Sequence, residues 1–224
     1  MPLYFGMFIS VFAYIIGMWL KKKLGWGILN PLLVAIILVI AFLKGTGISY
    51  SEYNEGASYI SYFLTPATVC LAIPLYKQLE LLKKNFAAVI IGITSGVMAS
   101  AASIFLMSLL FKLDHVYYVS LLPKSITTAI GMGVSQELGG YVPVTVAVII
   151  LTGVLGSVCA ESVCRLLRIT EPVARGVAIG ASAHAIGTSK AMELGEVEGA
   201  MSSLSIVVAG IMTVALAPYF ARLI

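Results

Sequence analysis

An all-α fold that crosses a membrane several times is predicted by three features of the 224-residue sequence. Charged residues make up 11% of it and hydrophobic ones 60%, whereas a soluble domain carries roughly 25% charge. Mean hydropathy is +1.02, so one globule could not hide its apolar surface from water, and lipid must be the solvent. The apolar residues also come in uninterrupted runs, and crossing a bilayer takes about 17 to 25 residues per helix. At about 20 residues a span, eight spans use about 160 residues and leave about 64 for connections, which excludes sizeable extramembrane domains and a disordered tail. We therefore expect one polytopic transmembrane domain over residues 1–224 with about seven to nine membrane segments.

Residues 2–20 form the first run. No basic residue precedes it and Lys21, Lys22 and Lys23 follow directly, the pattern of a retained span rather than a cleaved signal peptide. Charge-free runs follow at 24–43, 56–76, 85–111, 138–160 and 199–221, each long enough to cross. Two further segments, 116–136 and 176–189, are apolar enough to enter the membrane but contain Pro123, Lys124, His184 and many Gly, Ser and Thr residues. Backbone that breaks its helix at membrane depth is tolerated only where protein or a wet cavity satisfies the freed amides and carbonyls. These two broken or re-entrant segments are where a site is expected. Cys70, Cys159 and Cys164 lie in or beside apolar runs and form neither a disulfide framework nor a metal-binding pair. They read as packing residues, and no metal or cofactor is expected. The net charge of +4 sits in short clusters at the ends of runs, where it sets topology rather than a nucleic-acid surface.

A repeat runs through the chain. Ile15-Ile16-Gly17 with Lys23-Leu24, Ala72-Ile73-Pro74 with Glu80-Leu81, Ala129-Ile130-Gly131 with Glu137-Leu138, and Ala185-Ile186-Gly187 with Glu193-Leu194 recur at offsets of 57, 57 and 56 residues. Charges at corresponding turns change sign between possible repeat halves 1–112 and 113–224. Lys21 to Lys23, Lys77, Lys83 and Lys84 give way to Glu137, Glu193, Glu196 and Glu198, and Glu52 and Glu55 to Arg165, Arg168, Arg175 and Arg222. Since Lys and Arg stay cytoplasmic, an inverted internal repeat is expected, as in transporters built that way. Eight full crossings would place Arg165 to Arg175 outside. A re-entrant or broken path over 116–141 returns them to the cytoplasm.

Two constellations could carry chemistry. In Pro123-Lys124-Ser125-Ile126-Thr127-Thr128, proline suits a first helical turn and hydroxyls suit capping of free amides. A helix start attracts anions, and Lys124 could add a countercharge; alternatively Lys124 snorkels to the interface beside a packing-grade Ser/Thr helix. The second constellation, residues 181–203, concentrates His184, Thr188, Ser189, Glu193, Glu196 and Glu198. Ionisable groups in a membrane segment usually face a cavity or one another, so His184 with Glu193 or Glu198 could relay a proton. The bland alternatives are a neutral packing histidine, close helix approach at Gly187, Gly195 and Gly199, and a solvated loop for the glutamates. No nucleophile stands with a base, so no enzymatic activity is expected.

The run Pro123 to Thr128, together with Ala183-His184-Ala185-Ile186-Gly187-Thr188 and Glu193-Leu194-Gly195-Glu196-Val197-Glu198-Gly199-Ala200-Met201-Ser202-Ser203, resembles the two signatures of the LrgB/CidB family of bacterial membrane proteins. The likeness covers nearly the whole chain and departs at Ala129, where members commonly carry proline. It implies a multi-pass protein of the bacterial inner membrane, usually paired with a smaller LrgA/CidA-type partner. The family has been described both as antiholin-like modulators of murein hydrolase export and cell lysis, and as carriers of small carboxylates such as pyruvate. The related plastid glycolate/glycerate translocator fuses both parts in one chain. By position the resemblance marks Lys124, Ser125, Thr127, Thr128, His184, Thr188, Glu193 and Glu198.

Two functions follow as expectations. One is a secondary carrier of small monocarboxylates such as pyruvate, glycolate or glycerate. Lys124, Ser125, Thr127, Thr128, His184, Thr188 and Ser189 would bind substrate, while His184 with Glu193 or Glu198 would couple transport to protons. The other is a lysis-control protein that restrains a pore-forming partner through packed helix faces. A purely structural subunit is a third, weaker reading, and a homo-oligomer is expected in any case.

Overall fold

The computed structural model describes residues 4–24, 30–63, 66, 69–70 and 72–224. Helices are the only regular secondary structure among the described residues, as expected of an all-α membrane fold. The chain divides into two compact units, Met1–Leu71 and Ala72–Ile224.

The first unit contains α1 (Phe5–Leu24), α2 (Pro31–Thr46) and α3 (Tyr50–Ser61). Within the sequence run starting at 24, residues 25–29 lie outside the description and α2 starts at Pro31, where Asn30 accepts the Leu32 amide and proline fits a first turn. Gly47 (φ 71) closes α2 in the left-handed region after 16 residues, short for a crossing. The run expected over 56–76 is not one helix: polar α3 opens with a Ser49–Glu52 capping box and ends at Ser61. Several of the residues 61–71 lie outside the description. Ala13, Ala35 and Val39 form the core of this unit, and Ser10 Oγ shares a 2.7 Å hydrogen bond with the Tyr53 hydroxyl.

The second unit runs through α4 (Ala72–Lys77), α5 (Leu79–Lys84), α6 (Phe86–Phe111), α7 (His115–Leu121), α8 (Thr128–Glu137), α9 (Val142–Leu166), α10 (Pro172–Leu194) and α11 (Glu196–Ala221). Among the described residues, α1, α6, α9 and α11 are the four helices long and apolar enough to cross a membrane. Segment 116–136 is broken as expected, into α7 and α8, only about 10 and 15 Å long at 1.5 Å per residue. The chain doubles back between them. The Tyr117 and Tyr141 rings meet at 5.6 Å, and the Tyr141 amide donates to Ser120 Oγ at 2.7 Å, so α8 returns to the end from which α7 entered.

Segment 176–189 is broken too. The helical path of α10 fails at His184 (φ 42, ψ −140). In a straight helix residues eight apart are separated by about 12 Å, yet a Cβ on Gly187 would stand 3.0 Å from Ile179 Cγ2. Residues 185–194 therefore fold back along 172–183, and Ile179 and Ala191 share a core with Ala160 of α9. Both interrupted segments are re-entrant hairpins.

Their directions are opposed. Gly92 faces Val177 and Gly96 faces Ala181, so α6 and the first arm of α10 run parallel from a common end. Lys84 and Glu171 lie together at that end, which also carries Arg165, Arg168 and Arg175. At the other end the Tyr118 hydroxyl of α7 donates to the Phe220 carbonyl of α11 at 2.8 Å. Lys84, Arg165, Arg168 and Arg175 thus share one end of this unit, whereas Lys112, which closes α6, and Arg222, which follows Phe220, stand at the other, so the expected grouping of Arg222 with Arg165 to Arg175 does not hold. Helices α6 and α9 finish alike, with the Leu113 amide on the Ser108 carbonyl (2.9 Å) and the Ile169 amide on the Cys164 carbonyl (2.8 Å). Lys112 (φ 51) and Arg168 (φ 56) occupy the left-handed position in each. Acidic N-caps follow, Asp114 for α7 and Glu171 for α10. Thr127, where the first break ends, and His184 keep the offset of 57 residues. Because α6 leads away from the Lys84 end and α9 leads back to it, the inverted stretches are 86–137 and 142–194 rather than the expected halves 1–112 and 113–224.

Candidate functional site

Lys124 and Ser125, at the tip of the first hairpin, and Ala181 and Ser182, beside the tip of the second, line one groove of about 700 Å³ against α6. The α6 wall presents Gly96 and Ser100, near the middle of that helix and hence at mid-membrane depth. Lys124 Nζ donates to Ser125 Oγ at 2.9 Å, and Ser100 Oγ lies 3.2 Å from the same oxygen. Among the described residues no carboxylate pairs with Lys124. An ammonium at the centre of a membrane helix costs about 2.5–3.5 kcal/mol on insertion scales, and a bound anion would offset that cost. The groove also has a route to the membrane surface. Gly92, Val177 and Ala178 are common to it and to a second hollow of about 620 Å³ rimmed by Lys84, Asn85 and Glu171. Small side chains at the α6–α10 contact leave this path open.

Thr127 and Thr128 do not line the groove. Helix α8 starts at Thr128, and the Thr127 hydroxyl makes no capping bond. Pro123 lies in the preceding turn, where its carbonyl accepts the Ile126 amide at 3.3 Å, rather than in the first helical turn. The expected hydroxyl-capped start is therefore absent: the turn, not the helix, begins at the proline.

His184 is buried, 2% exposed, and does not line the groove. Its Nε2 donates to the Ile149 carbonyl of α9 at 2.9 Å. The ring reaches that carbonyl because residue 153 is glycine: a Cβ there would sit 2.6 Å from His184 Cε1 and 2.9 Å from Nε2. Thr188 Oγ1 donates to the His184 carbonyl at 3.0 Å, which leaves Ser202 Oγ of α11 as the donor in the 2.7 Å bond between the two hydroxyls. Backbone freed by the break is thereby satisfied inside protein. Ser189 Oγ is turned away, donating to the Ile186 carbonyl at 2.7 Å. Neither glutamate meets His184. Glu193 is half-exposed and pairs with Lys190 at 3.3 Å, while Glu198 is buried over Gly195 at the start of α11, where a carboxylate suits the helix dipole.

One polar cluster has no counterpart among the residues marked by the sequence. Thr145 of α9, fully buried, donates to the Ser120 carbonyl (2.9 Å) and approaches Ser135 Oγ at 2.7 Å. It ties both arms of the first hairpin to α9, as Ser202 ties the second hairpin to α11, again 57 residues later. The offset was the signal that could have found it.

The LrgB-like family model matches residues 10–223. The chain belongs to the LrgB-like family. It is 39% identical over 222 residues to a Bacillus subtilis (strain 168) protein named antiholin-like protein LrgB, covering 99% of this chain and 96% of that one. Bacillus cereus (strain B4264) has a protein of the same name, 38% identical over 218 residues, or 97% and 95% of the two chains. A Bacillus anthracis (strain CDC 684 / NRRL 3495) protein so named matches to the same extent. No solved structure matches this LrgB-like chain.

Proposed function

We propose that this LrgB-like protein is an antiholin-like modulator of murein hydrolase export and cell lysis. It works as a multi-pass protein of the bacterial inner membrane beside an LrgA/CidA-type partner, without catalysis of its own. The observation that carries this reading is near end-to-end similarity to proteins bearing the antiholin-like name. Expression in Bacillus subtilis lacking its own antiholin-like LrgB should restore the parental rate of autolysis. An unchanged rate, with the protein present in the membrane, would sink the reading.

A second reading is favoured by the groove: a secondary carrier of small monocarboxylates such as pyruvate, glycolate or glycerate. Inverted repeats whose interrupted helices meet near the midplane suit alternating access. Lys124 would neutralise the substrate carboxylate, with Ser125 and Ser100 donating hydrogen bonds beside it. Thr127, Thr128, Thr188, Ser189 and the proposed coupling groups His184, Glu193 and Glu198 would have to act by moving with the hairpins, since none of them lines the groove. Proteoliposomes should accumulate labelled pyruvate or glycolate faster with an imposed proton gradient, and Lys124→Ala should abolish uptake. No uptake with or without the partner excludes the carrier.

A further inference from the structure

We propose that the turn between α9 and α10 holds the phosphate headgroup of an anionic phospholipid. A hollow of about 380 Å³ there is walled by Arg165, Arg168, Arg175, Thr170 and Glu161, with the end of the second hairpin, Leu194, closing one side. Its one acid is already engaged: Glu161 pairs with Arg165 at 3.1 Å and stands 3.8 Å from Lys190. Arg175 spends Nε on the Ile169 carbonyl at 2.8 Å, which fixes its guanidinium over the turn and leaves its terminal N–H groups for a ligand. Among the described residues, the side chains of Arg168 and Thr170 make no hydrogen bond or ion pair, although the Arg168 amide donates to the Arg165 carbonyl at 3.2 Å. Guanidinium groups arranged in this way match the planar, multidentate demand of a phosphodiester.

Arg168 supplies the independent observation. It occupies the left-handed residue (φ 56) of the turn that ends α9, where glycine carries no steric penalty and arginine does. Lys112 takes the same position at the end of α6, so what sets Arg168 apart is that it lines a hollow shared with Arg165 and Arg175. The choice between a lipid and free phosphate follows from the neighbours. Leu166 and Leu167, 81% and 64% exposed, stand directly beside the hollow, where acyl chains would cover them. The hollow also lies at the helix ends, where α9 finishes and α10 begins, and basic pockets between membrane helices bind lipid headgroups.

The test is a thermal-unfolding series on the full chain in mixed micelles with dioleoyl phosphatidylglycerol, with dioleoyl phosphatidylcholine, or with inorganic phosphate and no added lipid. Native mass spectrometry would count retained lipid in parallel. Phosphatidylglycerol should raise Tm by about 5 °C or more over phosphatidylcholine and be retained preferentially. Arg168→Gly should lose that difference while melting no lower than the parent in phosphatidylcholine, which separates ligand loss from misfolding. Arg165→Gln provides a second variant, leaving the turn conformation alone. Equal stabilisation by the two lipids, an undiminished difference in both variants, or a full effect from inorganic phosphate alone would each overturn the proposal.

Discussion

Replacing Gly153 by alanine places one methyl group at the crossing of α9 with the tip of the second hairpin. The added Cβ would lie 2.6 Å from His184 Cε1, 2.9 Å from Nε2 and 2.8 Å from Ile186 Cδ1, all inside contact distance, so the imidazole must leave the Ile149 carbonyl. Overpacking of this kind costs about 1–3 kcal/mol, and a buried hydrogen bond broken with its donor left unsatisfied costs about 1–3 kcal/mol more. Better helix propensity returns up to about 1 kcal/mol. The net destabilisation is therefore about 1–6 kcal/mol, which at about 2–4 °C per kcal/mol lowers Tm by about 2–24 °C. Thermal unfolding of purified protein in one detergent measures it. Gly133→Ala in α8 is the control, since a Cβ there meets nothing within 4 Å, and it should be neutral or slightly stabilising. In Gly153→Ala with His184→Ala the methyl group no longer meets a ring, so the two losses should be strongly non-additive. If Gly153→Ala melts with the parent, or the two losses simply add, the account of how the second hairpin is seated is wrong.

Thr145→Val should cost about 1–3 kcal/mol, since it strips the hydroxyl from the fully buried cluster with Ser120 and Ser135; a shift in urea midpoint at unchanged slope reads it. Lys124→Leu should raise stability by about 2–3 kcal/mol by removing an uncompensated ammonium from mid-membrane depth, and should also erase any thermal shift produced by pyruvate. Glu52 is held below its ordinary pKa of 4.5 by the Ser49 backbone amide and then the Ser49 hydroxyl. A depressed carboxylate pKa stabilises the fold above its unfolded value and ceases to do so as pH falls through the folded value. Hydrogen-exchange protection factors in α3, corrected for the intrinsic pH dependence of amide exchange, should therefore fall on acidification below pH 4.5, and Glu52→Gln should remove that fall.

Much of this architecture is legible in the sequence because membrane burial makes polar residues conspicuous. Lys124 and His184 stand out in apolar runs, and each marks the turn of a re-entrant hairpin. The 57-residue offset runs through both inverted stretches, but they are not the halves 1–112 and 113–224 expected from the charges, since Thr127 and His184 both lie after residue 112. Helix starts are less visible: α2 starts at the Asn30–Pro31 cap, a local preference that a hydropathy run overrides. Side-chain partners are less visible still. A serine in an apolar helix reads the same whether it bonds its own turn, as Ser182 does, or knits two elements, as Ser120 does. His184 was expected near a glutamate, but its partner is a main-chain carbonyl, and a carbonyl has no sequence signature.

The two hairpins are related by sequence offset and inverted direction, yet their tips have opposite chemistry. The second tip is closed: His184, Thr188 and Ser202 satisfy one another and α9 with neutral hydrogen bonds. The first tip is open and holds a charge, since Lys124 has Ser125 for company and no acid. A hairpin needed only to brace helices gains nothing from an ammonium that leucine would replace with a gain in stability. A group bound at mid-depth would offset that cost, and a groove reaching Lys84 and Asn85 offers a way in. The two functional readings therefore part at one residue. If lysis control proceeds through packed faces alone, Lys124→Leu gives a more stable protein that restores autolysis as well as the parent does. If the groove is used, the same substitution gives a more stable protein that fails, and stability and function move in opposite directions.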